Sequence, residues 1–249
     1  MATAEDLIAA LDEAEFDAAV VAGIGWTDHE TAREANDYLL ESAARFPRRI
    51  VPLCSVNPAW GDAALDEIAR CAKAGARGIG ELHPDSQGFR LDDARLLKPL
   101  ADLARQLGLV VLTHVSEPVG HEYPGKGRTA PHQALSFAEA FPDVRLICAH
   151  WGGGLPFYAM MPEVGAALRN VWFDSAASPF LYQPRVFAVG AQLVGPDKVL
   201  FGSDFPLLRP ERALRDLRTG GLGEEAERGI LGDNAARLFG LAEEKGLRG

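Results

Sequence analysis

Five side chains in this 249-residue sequence stand where an apolar run stops: Glu81, His114, His150, Asp174 and Asp204. The runs before them, such as Leu109 to Thr113 and Val199 to Phe201, have the length and branching of buried strands. Two imidazoles and several carboxylates meeting at one mouth can bind a divalent metal. Such a metal lowers the pKa of bound water to about 7, and a neighbouring histidine or carboxylate can then move the proton. Each residue also has a plainer reading. His114 could be a core histidine bonded to backbone. Asp174 could hold the next turn, and Asp204 could cap a helix. Glu81 could form an ion pair inside the fold. His150 precedes Trp151 and three glycines, which let backbone approach a ligand closely. His29, in a loop, reads as solvated.

The runs that must position these residues lie near positions 20, 53, 79, 111, 147, 172 and 200. Helical patterns separate them. Thr3 to Asp6 reads as a capping box ahead of Leu7, Ile8 and Leu11. Further helices are expected from about Glu30 to Arg45, from an Asp62 cap to Cys71, from Asp92 to Leu107, and from His132 to Ala140. Others are expected over Pro184 to Val194, Arg212 to Leu217, Glu224 to Leu231 and Asn234 to Leu238. Strict alternation, without a Pro/Ser-rich linker, predicts a parallel sheet covered by helices in one domain over 1–249. An open doubly wound sheet is the weaker rival, because no glycine-rich phosphate loop follows the first strand. In an α/β barrel the strand ends named above share one mouth.

The polar stretch from Val115 to Pro131 is too long to be a simple connection. Its His121, Tyr123, Lys126 and Arg128 offer donors for an anionic or carbonyl substrate, and Trp151 adds an aromatic face. A solvated charged loop is the alternative. The formal net charge of -10 argues against nucleic acid and anionic membranes as partners, leaving a small molecule. No apolar run reaches the length of a membrane span, and no signal-peptide pattern opens the chain. Three cysteines without C-x-x-C spacing suggest neither a disulfide framework nor a zinc ribbon. Cys54 and Cys148 read as small buried hydrophobes, and a cytoplasmic setting is expected.

Several segments carry a family likeness. They are Leu7 to Ala14, Val144 to Gly154, Gly202-Ser203-Asp204-Phe205-Pro206, and Gly232 to Leu238. On these the chain resembles the amidohydrolase superfamily, in its amidohydrolase 2 branch of aminocarboxymuconate-semialdehyde decarboxylase-like enzymes. The resemblance implies a (β/α)8 TIM barrel, with His114 a metal ligand and His150 a ligand or general acid/base. It further implies that Asp204 binds metal and accepts a proton from attacking water, with Glu81 at a fourth-strand ligand position. Zinc is the expected metal, with manganese the alternative.

The departure is the family's His-x-His pair at the end of its first strand, which this sequence lacks, as it lacks that strand. Three explanations compete: a true start upstream, a reduced ligand set of Glu81, His114, His150 and Asp204, or a non-catalytic binding relative. An upstream start is favoured, since the absent strand would leave two unpaired edges that an assembly such as a homodimer could cover. The leading expectation is a metal-dependent hydrolase cleaving a C–N or C–O bond of a small anionic substrate. A decarboxylase of a small carboxylate is the alternative.

Overall fold

The computed structural model describes residues 2–123 and 125–241. Seven parallel strands form one sheet in strict chain order: β1 Ala19–Val21, β2 Ile50–Cys54, β3 Gly78–Leu82, β4 Val110–Thr113, β5 Arg145–Cys148, β6 Val171–Asp174 and β7 Val199–Leu200. The helices between them are α1 Ala4–Glu13, α2 His29–Arg45, α3 Asp62–Lys73, α4 Pro84–Gln87, α5 Ala94–Leu107, α6 Pro131–Ala140, α7 Pro162–Ala167, α8 Ser178–Leu181 and α9 Val186–Val194. After β7 come α10 Pro210–Thr219, α11 Glu224–Arg228 and α12 Asn234–Leu238. This is the repeated strand–helix unit that the alternation predicts, curled towards a barrel rather than doubly wound.

The pleat sorts the strand residues into two cores. Ile79, Val111, Leu146, Phe173 and Val199 point outward and bury the apolar faces of the helices, with Ile68, Leu97, Leu100 and Phe137 opposite them. Leu53, Val110, Ile147 and Leu200 point inward and meet Leu238 and Phe239 at the end of α12. Burying a leucine or phenylalanine in either layer contributes roughly 1.5–3 kcal/mol. The two margins of the sheet approach one another: Phe16, ahead of β1, stacks on Phe201, just after β7, at 5.0 Å between ring centroids. Glu13 accepts a hydrogen bond from Arg209 across the same gap at 3.1 Å.

Local chemistry explains the element starts. Thr3 closes the capping box with Asp6. Asp28 accepts from the Thr31 amide and starts α2. Several helices start one or two residues from expectation, α9 at Val186 and α10 at Pro210 among them. Asp62 lies inside α3, after a Gly61 cap at φ 59°, and α5 is capped by Asp93 rather than Asp92. Asp92 and Asp93 leave the choice of cap to the backbone, since either carboxylate can reach an N-terminal amide, while α3 has no side-chain cap. No helix among the described residues is long and apolar enough to cross a membrane.

Candidate active site

The strand ends meet as the alternation predicts. The Glu81 N–H donates to the Gly23 carbonyl at 3.1 Å, and β3 shifts register against β4 between Ile79 and Leu82, which turns the Glu81 carboxylate to the mouth. His114 follows β4 and its amide donates to the Leu82 carbonyl at 2.8 Å. Its Nδ1 lies 3.2 Å from Glu81 Oε1, and its Nε2 lies 3.0 Å from the Ser116 hydroxyl. The His83 ring stacks on that of His114, with centroids 4.0 Å apart.

His150 begins a turn in which His150, Trp151, Gly152, Gly153 and Gly154 all have φ between 55° and 96°. Left-handed backbone costs a non-glycine residue about 1–2 kcal/mol, so the glycines make the run affordable while His150 and Trp151 carry strain. Gly153 has a second reason, since a Cβ there would meet the Ser116 carbonyl at 2.4 Å. The turn fixes the His150 ring. Its amide donates to Asp174 Oδ1 at 3.0 Å, and Nδ1 lies 3.0 Å from the Ala176 carbonyl. A carbonyl only accepts, so Nδ1 carries the proton and a neutral His150 presents the Nε2 lone pair. That nitrogen is 4.0 Å from Glu81 Oε1, too far for a hydrogen bond.

Ligand atoms of Glu81, His114 and His150 lie within 4.8 Å of one another. Atoms sharing one cation stand roughly 3–4 Å apart, given bonds of about 2.0–2.2 Å. The donor set therefore fits a divalent metal, with a carboxylate and two imidazoles. Asp204 stands beside this group rather than within it. Among the described residues its carboxylate accepts no hydrogen bond, and its φ is 68°. It is aimed from below: the Ser175 hydroxyl donates to the Gly202 carbonyl at 3.2 Å and accepts from the Gly202 amide at 3.0 Å. Asn234 of α12 donates to the Pro196 and Val199 carbonyls at 2.7 and 2.8 Å, anchoring the start of β7.

The electrostatics are those of a shared, partly dry mouth. Burial pushes the Glu81 carboxyl up, but the His114 hydrogen bond and the attraction of the His114 and His150 rings outweigh it and hold its pKa low. Burial pulls His150 down, yet Glu81, Asp174 and Asp204 together raise it. Burial lifts Asp174 to about 6 against the opposing pull of His150 and two backbone amides. Asp204 is raised by the protein crowding its carboxyl, with His150 opposing. It is exposed as a residue, and water screens much of that shift. His83 is lowered by burial and then by His114.

The other expected residues are spread differently. The Trp151 indole is buried against Phe187, and its N–H donates to Ser178 at 2.7 Å. Lys126 bonds inside its own loop, to the Val119 and His121 carbonyls at 3.2 and 3.0 Å. Arg128 reaches Asp85 at 3.1 Å on the surface. His121 is exposed beside Tyr123, whose hydroxyl donates to Glu117 at 2.9 Å. Two neighbours of the cluster went unmarked in the sequence, His83 and Ser116. The pair His83-Pro84 just beyond Glu81 and Leu82 is a signal for the first; a lone loop serine gives none for the second.

Comparison with known proteins agrees with this geometry. The amidohydrolase model (Amidohydro_2) matches residues 4–241. A 6-methylsalicylic acid decarboxylase from Penicillium expansum is 30% identical over 244 residues, covering 84% of this chain and 74% of that protein. Among solved structures, 2,6-dihydroxybenzoate decarboxylase from Rhizobium superposes with a TM-score of 0.77 at 19% identity, over 95% of this chain and 88% of its own. Dihydroxybenzoic acid decarboxylase from Polaromonas sp., holding manganese and 2-nitroresorcinol, gives 0.76 at 20% identity, over 98% and 87%. With the family model covering nearly the whole described chain and two histidines and a glutamate gathered at its strand ends, this protein belongs to the amidohydrolase family.

Proposed function

We propose that the chain is a metal-dependent decarboxylase of a small aromatic carboxylate. The observation that carries this reading is the Glu81–His114–His150 cluster in a chain 30% identical to a 6-methylsalicylic acid decarboxylase. It is preferred to the hydrolase that the strand ends and the family resemblance lead us to expect, because those ends serve water attack and carboxylate loss equally well and the similar proteins are decarboxylases. Manganese, held by the Polaromonas relative, is a better first choice than zinc.

Glu81, His114 and His150 would hold the cation, which would supply positive charge against a substrate carboxylate or ortho hydroxyl. Decarboxylation breaks the ring–carboxylate bond, releases CO2 and places a proton on the ring carbon. Asp204 has the raised carboxyl and the open position for that proton, and His150 beside it stabilises the carboxylate left behind. Asp174 holds His150 and Ala176 in place through two backbone amides. The test is CO2 release from hydroxylated benzoates by protein purified with manganese. Release that stops on chelation and returns with Mn2+ is the expected result. Hydrolysis of amides or esters with no CO2 from any benzoate would overturn it.

A further inference from the structure

Ser116 joins the cluster to the long loop through one oxygen. The residue is 2% exposed. Its hydroxyl lies 3.0 Å from His114 Nε2 and accepts the Gly127 N–H at 3.0 Å. The Ser116 amide donates to the Thr129 carbonyl at 2.8 Å, so the loop closes back on this residue twice. A Cβ on Gly127 would sit 3.5 Å from the Ser116 hydroxyl and 3.7 Å from the His114 ring, so the return strand of the loop packs directly on both.

His114 has two jobs that need opposite tautomers. Without a metal, Nδ1 faces a glutamate oxygen at 3.2 Å and must carry a proton, because two lone pairs would repel. In the neutral imidazole Nε2 then needs a donor. With a metal between Glu81 and His114, Nδ1 must give its lone pair, and the proton sits on Nε2, which needs an acceptor. A serine hydroxyl serves both states by rotating its hydrogen. It has one donor and two acceptor lone pairs, one of which stays with Gly127 throughout. An alanine serves neither state. A backbone carbonyl, the partner His150 has, serves only the second.

We infer that Ser116 is a positioning residue that lets His114 exchange tautomers as the metal enters, while keeping the 115–130 loop closed on the site. This rests on the metal reading above. Starting from the neutral imidazole, one proton moves from Nδ1 to Nε2, and the serine passes from donor to acceptor. The loaded imidazole is also the better donor, so metal tightens the bond that holds the loop.

The experiment uses the full chain and Zn2+ as a diamagnetic probe, with 15N-labelled histidine followed by NMR and Zn2+ affinity measured by chelator competition. In the wild type the His114 Nε2 signal should pass from the unprotonated to the protonated range on loading. Ser116→Ala should bind Zn2+ about 10–100-fold more weakly, with the metal-free protein melting within a few degrees of the wild type. An Nε2 that stays unprotonated in loaded wild type overturns the inference, and so does a folded Ser116→Ala that binds as tightly as wild type. If the variant does not fold, the wild-type spectrum decides. Failure of the wild type to bind Zn2+ or Mn2+ at all is a different result: it removes the metal reading itself, and this inference with it.

Discussion

Two side-chain clusters in this molecule bring three potential ligand atoms within 4.8 Å: Glu81–His114–His150 at the mouth, and Cys54–Glu67–Cys71 between β2 and α3. They are alike in spacing and opposite in saturation. Glu67 accepts two hydrogen bonds from Arg70 at 2.8 and 2.7 Å and one from Asn36 at 2.8 Å, and the Cys71 thiol is 3.4 Å away. Asn36 also receives the Ser55 amide at 2.8 Å and donates to the Ser55 carbonyl at 3.0 Å, so α2, β2 and α3 are tied through one network. The Cys54 thiol is pushed up by its neighbour Cys71 and by burial, which keeps it neutral. Every strong acceptor there already has its donors, and a guanidinium occupies the place of a cation. At the mouth, His150 Nε2 and the Asp204 carboxylate have no hydrogen-bond donor among the described residues. Proximity of ligand atoms marks both clusters; unspent lone pairs mark only the mouth.

The sharpest way to break that comparison is to remove a mouth residue and watch the fold. His114→Ala should lower manganese-dependent CO2 release by roughly 1000-fold or more, about 4 kcal/mol of barrier, while thermal unfolding of the metal-free protein shifts by only a few degrees. Collapse of the fold with retained specific activity in the surviving fraction would put His114 in the core instead.

Glu67→Ala tests the other side. It strands Arg70 and Asn36 around a void and should cost about 3 kcal/mol, a fall in Tm of roughly 6–12 °C at the scale of about 2–4 °C per kcal/mol for a chain of this size. Manganese stoichiometry, measured by metal analysis, should stay as in the wild type. A loss of bound metal in this variant would erase the distinction between the two clusters.

The smallest effect concerns acid. Burial raises the Glu67 carboxyl, but Arg70, Asn36 and Cys71 outweigh it and leave its pKa below the ordinary 4.5. The unfolded chain therefore takes up the proton first. The stabilisation is complete above about pH 4.5 and is lost as pH falls below it through the folded value. Urea unfolding between about pH 5 and pH 3 should lose less stability with Glu67→Gln than with wild type; parallel slopes would mean that Glu67 titrates alike in both states.

Much of this was legible in the residues. Apolar runs stopping at Glu81, His114 and His150 named the cluster, because a parallel sheet aligns strand ends whatever their distance in sequence. The Asn234 motif was recognisable for the same reason that it works: its side chain bonds backbone carbonyls of one fixed turn. Ser116 was not, since its importance lies in Gly127 returning eleven positions later to share its oxygen. Nor was the destination of Lys126. A lysine in a long loop suggests an anion, yet its ammonium found two carbonyls of its own loop first. Cys54 looked like a small hydrophobe, and by burial it is one; only Asn36, eighteen positions earlier, shows that it borders a polar network. The choice between hydrolase and decarboxylase was out of reach because both use the same strand-end groups.

The stacking of Phe16 on Phe201 also constrains how the protein is made. A β1 unit leaving the ribosome has no aromatic partner until nearly the whole chain has been translated, and Arg145 must wait still longer for the Leu238 carbonyl it binds at 2.8 Å. Contacts of such long sequence separation are slow to form. Nascent chains stalled short of residue 201 should therefore hold β2 to β6 more firmly than β1, leaving β1 the last of these strands to become protected.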